Sequence, residues 1–387
     1  MLVRRCAILA IEPRESLAFD LSVLFAGDQA LASTVQWLAL AAHLPEEVPL
    51  ESADLEVLGS VGESLWQERA PLDARYGKAR IGRLLESGVL LADAPDFARH
   101  CERDQVVRDT HWYAPAALAH FHGRWRERRV GEDPRLSGFE TIADMVAAYG
   151  APPAAVAERV ARDARLCLPE PPAGALDGPL RARYTGRNYD PVAELPLALA
   201  SRLLQRGFGA QHVREVAPGT VALKKTSPSG GSLHPVGAYV IAQRVEGVPP
   251  GGYHYHPVDH ALEPLAAFDP AGARELLRRC VADQHWFADA PMMVVLAARF
   301  RRNFWKYRNH AKAYRALLLD AGHLSQTFYL LAAEAGLPAF VTAAVNDAEI
   351  EALLGIDPLH EGVLAVCGCG PSSGGQETVE FRPGDTA

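Results

Sequence analysis

The sequence predicts an α+β protein in two parts, and three features of the chain support this prediction. A proline-rich stretch over residues 168–179 divides the chain. Residues 292–298 form a near-continuous apolar run, which is typical of a strand buried on both faces. Over residues 309–334 apolar side chains recur at helical spacing and predict the longest helix. A strand and a helix of this kind indicate a sheet covered by helices.

Composition and charge argue against several classes of protein. The 387 residues are enough for two domains or one large one, and the net charge of −8 argues against a general nucleic-acid binder. No apolar run reaches the length of about 18 residues that a membrane span needs. The first residues lack a secretory apolar region and cleavage site, which predicts a cytoplasmic protein. The six cysteines are scattered without a Cys-x-x-Cys pair, so no metal site is predicted.

The first part of the chain, residues 1–125, is predicted to be a small winged-helix-like domain. Residues 1–25 alternate enough for one or two short strands, and helices are expected over residues 30–43 and 55–67. Over residues 79–93 a helix ends at a glycine and an apolar strand follows. Such an ending, after an earlier helix, is the winged-helix pattern.

The helix in residues 79–93 also bears on what this domain binds. It offers Arg80 and Arg83 but no cluster of Lys and Arg, which DNA binding through counterion release requires. We therefore expect the domain to hold a peptide or a partner protein, or to be structural, rather than to bind DNA.

Residues 126–178 are predicted to connect the two parts, and residues 179–387 to form the second domain. A short helix is expected from Ala151-Pro-Pro onward, before the proline-rich linker. The second domain is expected to contain a helix over 195–207, a hairpin of 253–256 and 261–265, a helix from an Asp269 cap to Cys280, a helix over 347–354 and a strand over 362–367.

A small, polar, glycine-rich stretch at residues 227–232 precedes an apolar run in the second domain. Its two adjacent glycines allow a backbone to pass close to a ligand, because they carry no Cβ. Its serines and the N–H groups of the turn could donate to an anion or to a ring carbonyl. The stretch lacks the P-loop pattern, and the alternative interpretation is an ordinary turn.

Four stretches of the second part follow one another in a characteristic order. They are Arg183-Tyr-Thr-Gly-Arg-Asn-Tyr189, the Pro228-Ser229-Gly230 part of the loop, Gly252-Tyr-His-Tyr-His256, and Lys306-Tyr307 followed by Ala313-Tyr-Arg315 and Ala321-Gly-His323. In this order they resemble the SagB-type dehydrogenases of the nitroreductase-like flavoproteins, over about residues 179–371. The resemblance implies a nitroreductase-like fold with a central mixed sheet flanked by helices. It also implies a homodimer with two FMN sites at the subunit interface.

Arg183 and Arg187, with Thr185 between them, could grip a phosphate through charge-assisted hydrogen bonds. The alternative is a pair of surface arginines. The resemblance implies that these three residues bind the 5′-phosphate of FMN.

The resemblance further implies that the loop Pro228-Ser229-Gly230 runs along the isoalloxazine ring and donates backbone N–H bonds to its polar edge. Gln326 lies within an apolar helical pattern, where an unpaired amide is costly. It is therefore predicted to bond either a flavin carbonyl or a facing backbone group.

Lys306 and Tyr307 follow the buried strand and precede the long helix, at an element end where functional residues concentrate. In the resembled azoline oxidases a Lys-Tyr pair at this place is the catalytic base system, which implies the same role here. The alternative is a lysine that packs its stem beside an interface tyrosine.

The resemblance implies an FMN-dependent dehydrogenase that oxidises azoline rings to azoles in a ribosomally made, modified peptide. A partner cyclodehydratase would make the ring, and molecular oxygen would be the final electron acceptor. Two other functions stay open. One is an NAD(P)H-dependent reductase of nitro, quinone or ene compounds on the same fold, since fold does not fix function. The other is a non-catalytic peptide-binding or regulatory scaffold.

Overall fold

The computed structural model describes residues 1–19, 31–132 and 142–382. Its strands are β1 (Leu2–Arg5), β2 (Leu9–Phe19), β3 (Leu31–Ala41), β4 (Val48–Leu50), β5 (Gln67–Glu68), β6 (Leu90–Ala92), β7 (Ala210–Ala217), β8 (Thr220–Lys225), β9 (Val236–Ala242), β10 (Gly251–His256), β11 (Ala261–Ala267), β12 (Met292–Arg299), β13 (Ala339–Thr342) and β14 (Glu361–Cys369). Its α-helices are α1 (Ser52–Ser60), α2 (Arg69–Tyr76), α3 (Lys78–Glu86), α4 (Ala98–Thr110), α5 (Ala114–Gly123), α6 (Ile142–Tyr149), α7 (Asp177–Ala182), α8 (Leu197–Phe208), α9 (Pro270–Cys280), α10 (Phe300–Phe304), α11 (Ala313–Glu334) and α12 (Asp347–Leu354).

A six-stranded sheet in the order β11-β10-β9-β12-β14-β13 forms the centre of the second part. Strand β12 lies inside it and is buried on both faces, as its apolar run predicts. Val294 and Leu296 face a core shared with α8 and α11, whereas Met293 and Val295 face a second core shared with α9 and α12. The α+β fold with helices on both sides of a sheet is confirmed.

The described strand pairs of this sheet are antiparallel, and a parallel bridge joins a further segment to its β13 edge. There Thr185 pairs in parallel with Ala339 of β13, and the N–H of Gly186 donates to the Ala339 carbonyl at 2.8 Å. The Arg183–Tyr189 stretch is thereby held against the sheet, close to the C-terminal end of α11.

The first part of the chain has its own strands and helices. Strands β5-β1-β6 form a small antiparallel sheet, and β2-β3-β4 form another. Val3, Leu58, Ile81 and Leu85 share one apolar core with neighbouring residues. The predicted order of a helix, a glycine and a strand is confirmed. Helix α3 ends before Gly88, whose φ is +81°, and strand β6 follows.

The two parts are joined through the aromatic ring of Trp112, which is 4% exposed. Its centroid lies 4.7 Å from that of Phe300 and 4.6 Å from that of Phe304, both on α10. One residue earlier, the carbonyl of His111 accepts a 2.9 Å hydrogen bond from the N–H of Asn309. The segment that contains Lys306 and Tyr307 is therefore bound on both sides to the first part of the chain. The domain boundary within residues 126–178 stays a prediction.

Two helix predictions in the first part are wrong or displaced. The predicted helix over 30–43 is strand β3, which pairs with β2 along its whole length. The spacing of its alanines and leucines fits the period of a helix as well as that of a strand. Its Thr, Val and Trp residues favour a strand once a second strand is present to pair with it. The predicted helix over 55–67 is α1, which ends at Ser60, while Gln67 already belongs to β5.

The connecting region also differs from the prediction. The described helix there is α6, which ends at Tyr149, and residues 151–161 do not form the expected helix. The two prolines keep Ala151 and Pro152 out of the helical region, but they do not account for the lack of a helix in the residues that follow. The hairpin of β7 and β8 was not predicted, and it turns at Pro218-Gly219.

Most elements of the second domain follow the prediction closely. Helix α9 begins at an Asp269 cap, whose carboxylate accepts the N–H of Ala271 at 3.1 Å. The hairpin of β10 and β11 and helix α12 lie where expected, and the long helix begins at Ala313 rather than residue 309. None of the helices in the described ranges combines the length and apolar character that crossing a membrane requires.

Candidate active site

The glycine-rich loop is fastened to α11 by one buried carboxylate. Asp320, 4% exposed, accepts the Ser229 hydroxyl at 2.5 Å and the Gly230 N–H at 3.1 Å. The Ser229 hydroxyl oxygen in turn accepts the N–H of His234 at 3.0 Å. Because the Gly230 N–H is already satisfied, the structure does not support its predicted donation to a flavin ring. Sequence reasoning missed Asp320, although a lone carboxylate on the apolar face of a helix needs a partner.

Lys306 and Tyr307 meet the loop at Gly231, about 75 residues earlier in the chain. Gly231 has a φ of +62°, and a Cβ built on it would lie 2.6 Å from Lys306 Nζ and 2.8 Å from Tyr307 Oη. The ammonium of Lys306 is 5.6 Å from the centre of the Tyr307 ring. Two groups capable of proton transfer therefore lie side by side at a backbone that only glycine keeps open.

A buried asparagine fixes the turn that carries this pair. The N–H groups of Lys306 and Tyr307 donate to the Asn303 carbonyl at 3.3 and 3.2 Å. Asn303 is 1% exposed, and its side-chain amide donates to the Ala313 carbonyl at 2.9 Å. The turn is thus tied to the first residue of α11, the same helix that anchors the glycine loop.

A Gly231→Ala substitution tests this close approach. We expect a loss of stability of roughly 1–2 kcal/mol from the left-handed backbone, together with displacement of Lys306 and Tyr307 and a lower enzymatic turnover. Gly219→Ala is the matched control, since its φ is +70° but nothing lies within 4 Å of the added Cβ. We expect it to lose similar stability with turnover unchanged. Equal turnover in the two variants would contradict the proposed contact.

The arginine stretch lies further along α11. Arg183 stacks over the Tyr329 ring at 5.3 Å, and the Thr185 hydroxyl is 3.1 Å from the Tyr329 hydroxyl. Arg187 donates through Nη1 to the Val379 carbonyl at 3.2 Å. Within the described ranges, neither guanidinium forms an ion pair with an acidic side chain. Both can therefore still bind an anion.

An open face of α11 separates the loop from the arginines. Asp320 and Tyr329 are nine residues apart, which corresponds to roughly 14 Å along a helix. Gly322, His323 and Gln326 on the intervening turns are exposed. The argument that Gln326 is a buried amide is therefore wrong, and its assignment to the cofactor stays a prediction. Nine residues make about two and a half turns, so Asp320 and Tyr329 point to opposite sides of α11 and the exposed residues lie between them.

The same region matches a known sequence family: residues 180–370 match the Nitroreductase family. These residues form a nitroreductase-family domain. The match contains the arginine stretch, the glycine loop, the Lys306–Tyr307 turn and the whole of α11.

Three curated proteins are similar to this domain. The trifolitoxin-processing protein TfxB of Rhizobium leguminosarum bv. trifolii is 29% identical over 37% of this chain and 38% of its own. The protein named "Putative nitroreductase MJ1384", of Methanocaldococcus jannaschii, is 32% identical over 34% of this chain and 64% of its own. The microcin B17-processing protein McbC of Escherichia coli is 26% identical over 45% of this chain and 61% of its own. The chain thus spans less than two thirds of each relative. The two processing proteins agree with a SagB-type peptide-maturation member of the family.

Among solved structures, the E. coli microcin synthetase McbBCD complex with truncated pro-MccB17 bound aligns with 69% of this chain and 97% of the matched chain. The alignment has a TM-score of 0.47 and 21% identity.

Beyond the matched region, the C-terminal tail lies against the arginine stretch of the nitroreductase-family domain. The Glu380 carboxylate accepts the N–H groups of Arg187 and Asn188, the latter at 2.8 Å, and the guanidinium of Arg382. Burial acts to raise the pKa of Glu380, but these hydrogen bonds outweigh it and hold the pKa below its usual value. Nothing local in the sequence indicates this contact, because about 190 residues separate its partners.

A cavity of about 620 Å³ with a mixed polar and apolar lining opens beside the base of the loop. Lys225 and His234 line it together with Tyr239, Arg299 and Glu361, and it does not include Lys306 or Tyr307. Burial, with a smaller contribution from the Arg299 guanidinium, lowers the pKa of Lys225 to about 8. The predicted catalytic pair is thus separate from this cavity.

Proposed function

We propose that this protein is an FMN-dependent dehydrogenase that oxidises azoline rings to azoles in a ribosomally made, modified peptide. The observation that carries the proposal is the meeting of Lys306 and Tyr307 at Gly231 inside a nitroreductase-family domain. The similarity to two processing proteins, for trifolitoxin and microcin B17, favours a peptide over a small-molecule substrate.

The chemistry of the donor groups fits FMN. The guanidinium groups of Arg183 and Arg187 and the hydroxyl of Thr185 would hold a phosphate, since charge-assisted bonds to planar guanidinium groups suit phosphate oxygens. The loop around Ser229 would lie along the ring, with the open face of α11 beneath. When bound, FMN supplies the two-electron acceptor that the oxidation of a ring requires.

The chain's own residues would supply the proton transfer. Conversion of an azoline to an azole removes one hydride and one proton from adjacent ring carbons. Lys306 Nζ and Tyr307 Oη lie on the same side of the loop, so one can accept the ring proton while the other orients the ring by a hydrogen bond. The backbone at Gly231 leaves them the room to do so.

The proposed cofactor can be tested through the two arginines. We expect purified protein to be yellow and to release FMN rather than FAD. In the double variant Arg183→Ala with Arg187→Ala we expect flavin affinity to fall by about 10²–10⁴, because each phosphate contact contributes roughly 1.5–3 kcal/mol. The control is Arg159→Ala with Arg162→Ala, two exposed arginines of the connecting region. Protein that stays colourless on incubation with FMN would contradict the proposal.

We further propose that a second copy of the chain covers the open side of α11. Leu318 and Leu319 on this helix are 49% and 58% exposed, which is unfavourable in water unless another surface covers them. The substrate would be a precursor peptide, in line with the names of the two processing relatives. A cyclodehydratase partner would already have formed its ring.

The similarity to MJ1384 favours a second function, an NAD(P)H-dependent reductase of nitro, quinone or ene compounds. The two functions differ in the electron donor. Rapid flavin reduction by NAD(P)H with turnover of a small quinone would support the reductase. Oxidation of a thiazoline peptide without NAD(P)H would support the dehydrogenase.

A further inference from the structure

The segment around the proposed catalytic pair is unusually basic for an acidic chain. Between Asp289 and Asp320 there are seven Lys and Arg residues and no Asp or Glu, in a chain with a net charge of −8. The seven, which we call the basic segment, are Arg299, Arg301, Arg302, Lys306, Arg308, Lys312 and Arg315. All except the half-buried Arg302 are exposed. The rest of the chain is therefore even more acidic, and positive charge is concentrated here.

Within the described residues these cations form no ion pairs, unlike many arginines elsewhere. In the described part of the chain, none of the seven lies within ion-pair distance of a carboxylate, whereas Arg274 and Arg124 pair with Asp289 and Glu351. The hydrogen bonds of their side chains go to backbone carbonyls. Arg302 donates to the Leu233 carbonyl at 3.0 Å, and Arg308 donates to the Trp305 carbonyl at 3.3 Å. Their charges remain available to an external anion.

An aromatic side chain lies within this group. Trp305 is 59% exposed, directly before Lys306. Tryptophan and arginine are the residues most enriched where a few contacts dominate binding energy, and an exposed indole without a covering surface is uncommon. Exposed cations around one exposed indole are suited to a partner that is acidic and partly apolar.

We propose that the basic segment docks an acidic stretch of the substrate peptide and thereby delivers the ring to Lys306 and Tyr307. This inference rests on the proposed peptide oxidation and adds the charge class of its substrate. Arginine forks match carboxylates in pairs of hydrogen bonds, and the local positive field raises the rate of encounter with an anion. The docking residues flank the catalytic pair in sequence. Binding of the peptide to them would therefore hold the reacting ring close to Lys306 and Tyr307.

A nucleic acid is the other anion to consider. The rest of the chain is acidic and repels a polymer with one charge per 1.7 Å far more than a peptide with a few carboxylates. An acidic peptide is therefore the better match.

The test uses FMN-incubated full-length protein and three fluorescein-labelled ten-residue probes. In these probes glycine alternates with glutamate, glutamine or lysine. We expect fluorescence anisotropy to detect binding of the glutamate probe at about 50 mM salt, weakening as salt rises to about 200 mM. The glutamine and lysine probes should not bind. The triple variant Arg301→Gln, Arg308→Gln, Lys312→Gln should bind the glutamate probe about tenfold more weakly, since exposed ion pairs contribute modestly each.

The matched control removes the same charge elsewhere. Arg159→Gln, Arg162→Gln, Arg206→Gln replaces three exposed arginines that also lack an acidic partner in the described residues, and should bind the glutamate probe as wild type does. Equal binding by wild type and the basic-segment variant would refute the inference, as would tighter binding of a single-stranded DNA 20-mer than of the glutamate probe.

Failure of the docking proposal and failure of the proposed oxidation can be told apart, because probe binding and flavin content are measured on the same samples. A yellow protein that oxidises a thiazoline peptide but ignores the glutamate probe would refute the docking surface alone. A colourless protein that binds the probe would refute the proposed oxidation alone.

Discussion

Replacing Lys306 with Ala or Tyr307 with Phe is expected to lower azoline oxidation by about 10²–10⁴, the usual contribution of general acid–base catalysis. The reason is geometric: both polar atoms reach the backbone at Gly231, where a ring lying on the loop would present its proton. Neither side chain contacts Arg183 or Asp320 in the hydrogen bonds that hold the arginine stretch and the loop. Flavin content should therefore stay at the wild-type value. The measurement is single-turnover oxidation of a thiazoline peptide, expressed per bound flavin.

A structural role for the pair would give another pattern. Flavin content or the melting temperature would fall, and turnover per bound flavin would be preserved. Lys306→Arg distinguishes charge from proton transfer, because arginine keeps the positive charge but does not act as a base near neutral pH. If Lys306→Arg restores full turnover, Lys306 binds substrate instead of moving the proton.

The site could be predicted where its signal is local in sequence. Lys306 and Tyr307 follow an apolar strand, where their signal is local. The adjacent glycines of the loop predict the close approach of a ligand, and the groups that lie against Gly231 in the structure are the side chains of this pair. Asp320 could have been found as a lone carboxylate in the run Leu317-Leu-Leu-Asp-Ala. Glu380 could not, because its contact with Arg187 depends on how the tail folds back across the sheet edge.

The fold could be predicted where periodicity is unambiguous. The apolar run of β12, the long helix α11 and the capped helix α9 each carry a pattern that tertiary contacts then reinforce. Strand β3 was misassigned because its pairing partner decides its conformation. The hairpin of β7 and β8 was overlooked despite a Pro-Gly turn between alternating residues, since exposed strands lack an apolar run.

Truncation of Trp112 to Ala is expected to cost roughly 3–5 kcal/mol of unfolding free energy, the range for a large aromatic residue in a packed core. Trp112 is 4% exposed, and its ring lies within 6 Å of the rings of Phe121, Phe300, Phe304 and Tyr314. None of these neighbours can fill the space without leaving its own contacts. The measurement is urea unfolding followed by circular dichroism.

The comparison with Trp112→Phe separates volume from polarity. Among the described residues the indole N–H of Trp112 finds no hydrogen-bond partner, and a buried donor left in this state is itself destabilising by about 1–3 kcal/mol. Phenylalanine removes that donor and keeps most of the aromatic contacts, so we expect a much smaller loss than for alanine. Trp66, which is 36% exposed and lies under Arg4, is the surface control, and Trp66→Ala should cost about 1 kcal/mol.

The alanine variant also tests whether the first part of the chain positions the catalytic pair. Trp112 packs on α10, which ends two residues before Lys306, and the neighbouring His111 carbonyl holds Asn309. If the two parts unfold as one unit, Trp112→Ala shifts a single transition and lowers turnover per flavin in protein that is still folded. Two separate transitions, with the second domain and its turnover unchanged, would show that Lys306 and Tyr307 are held by the nitroreductase-family domain alone.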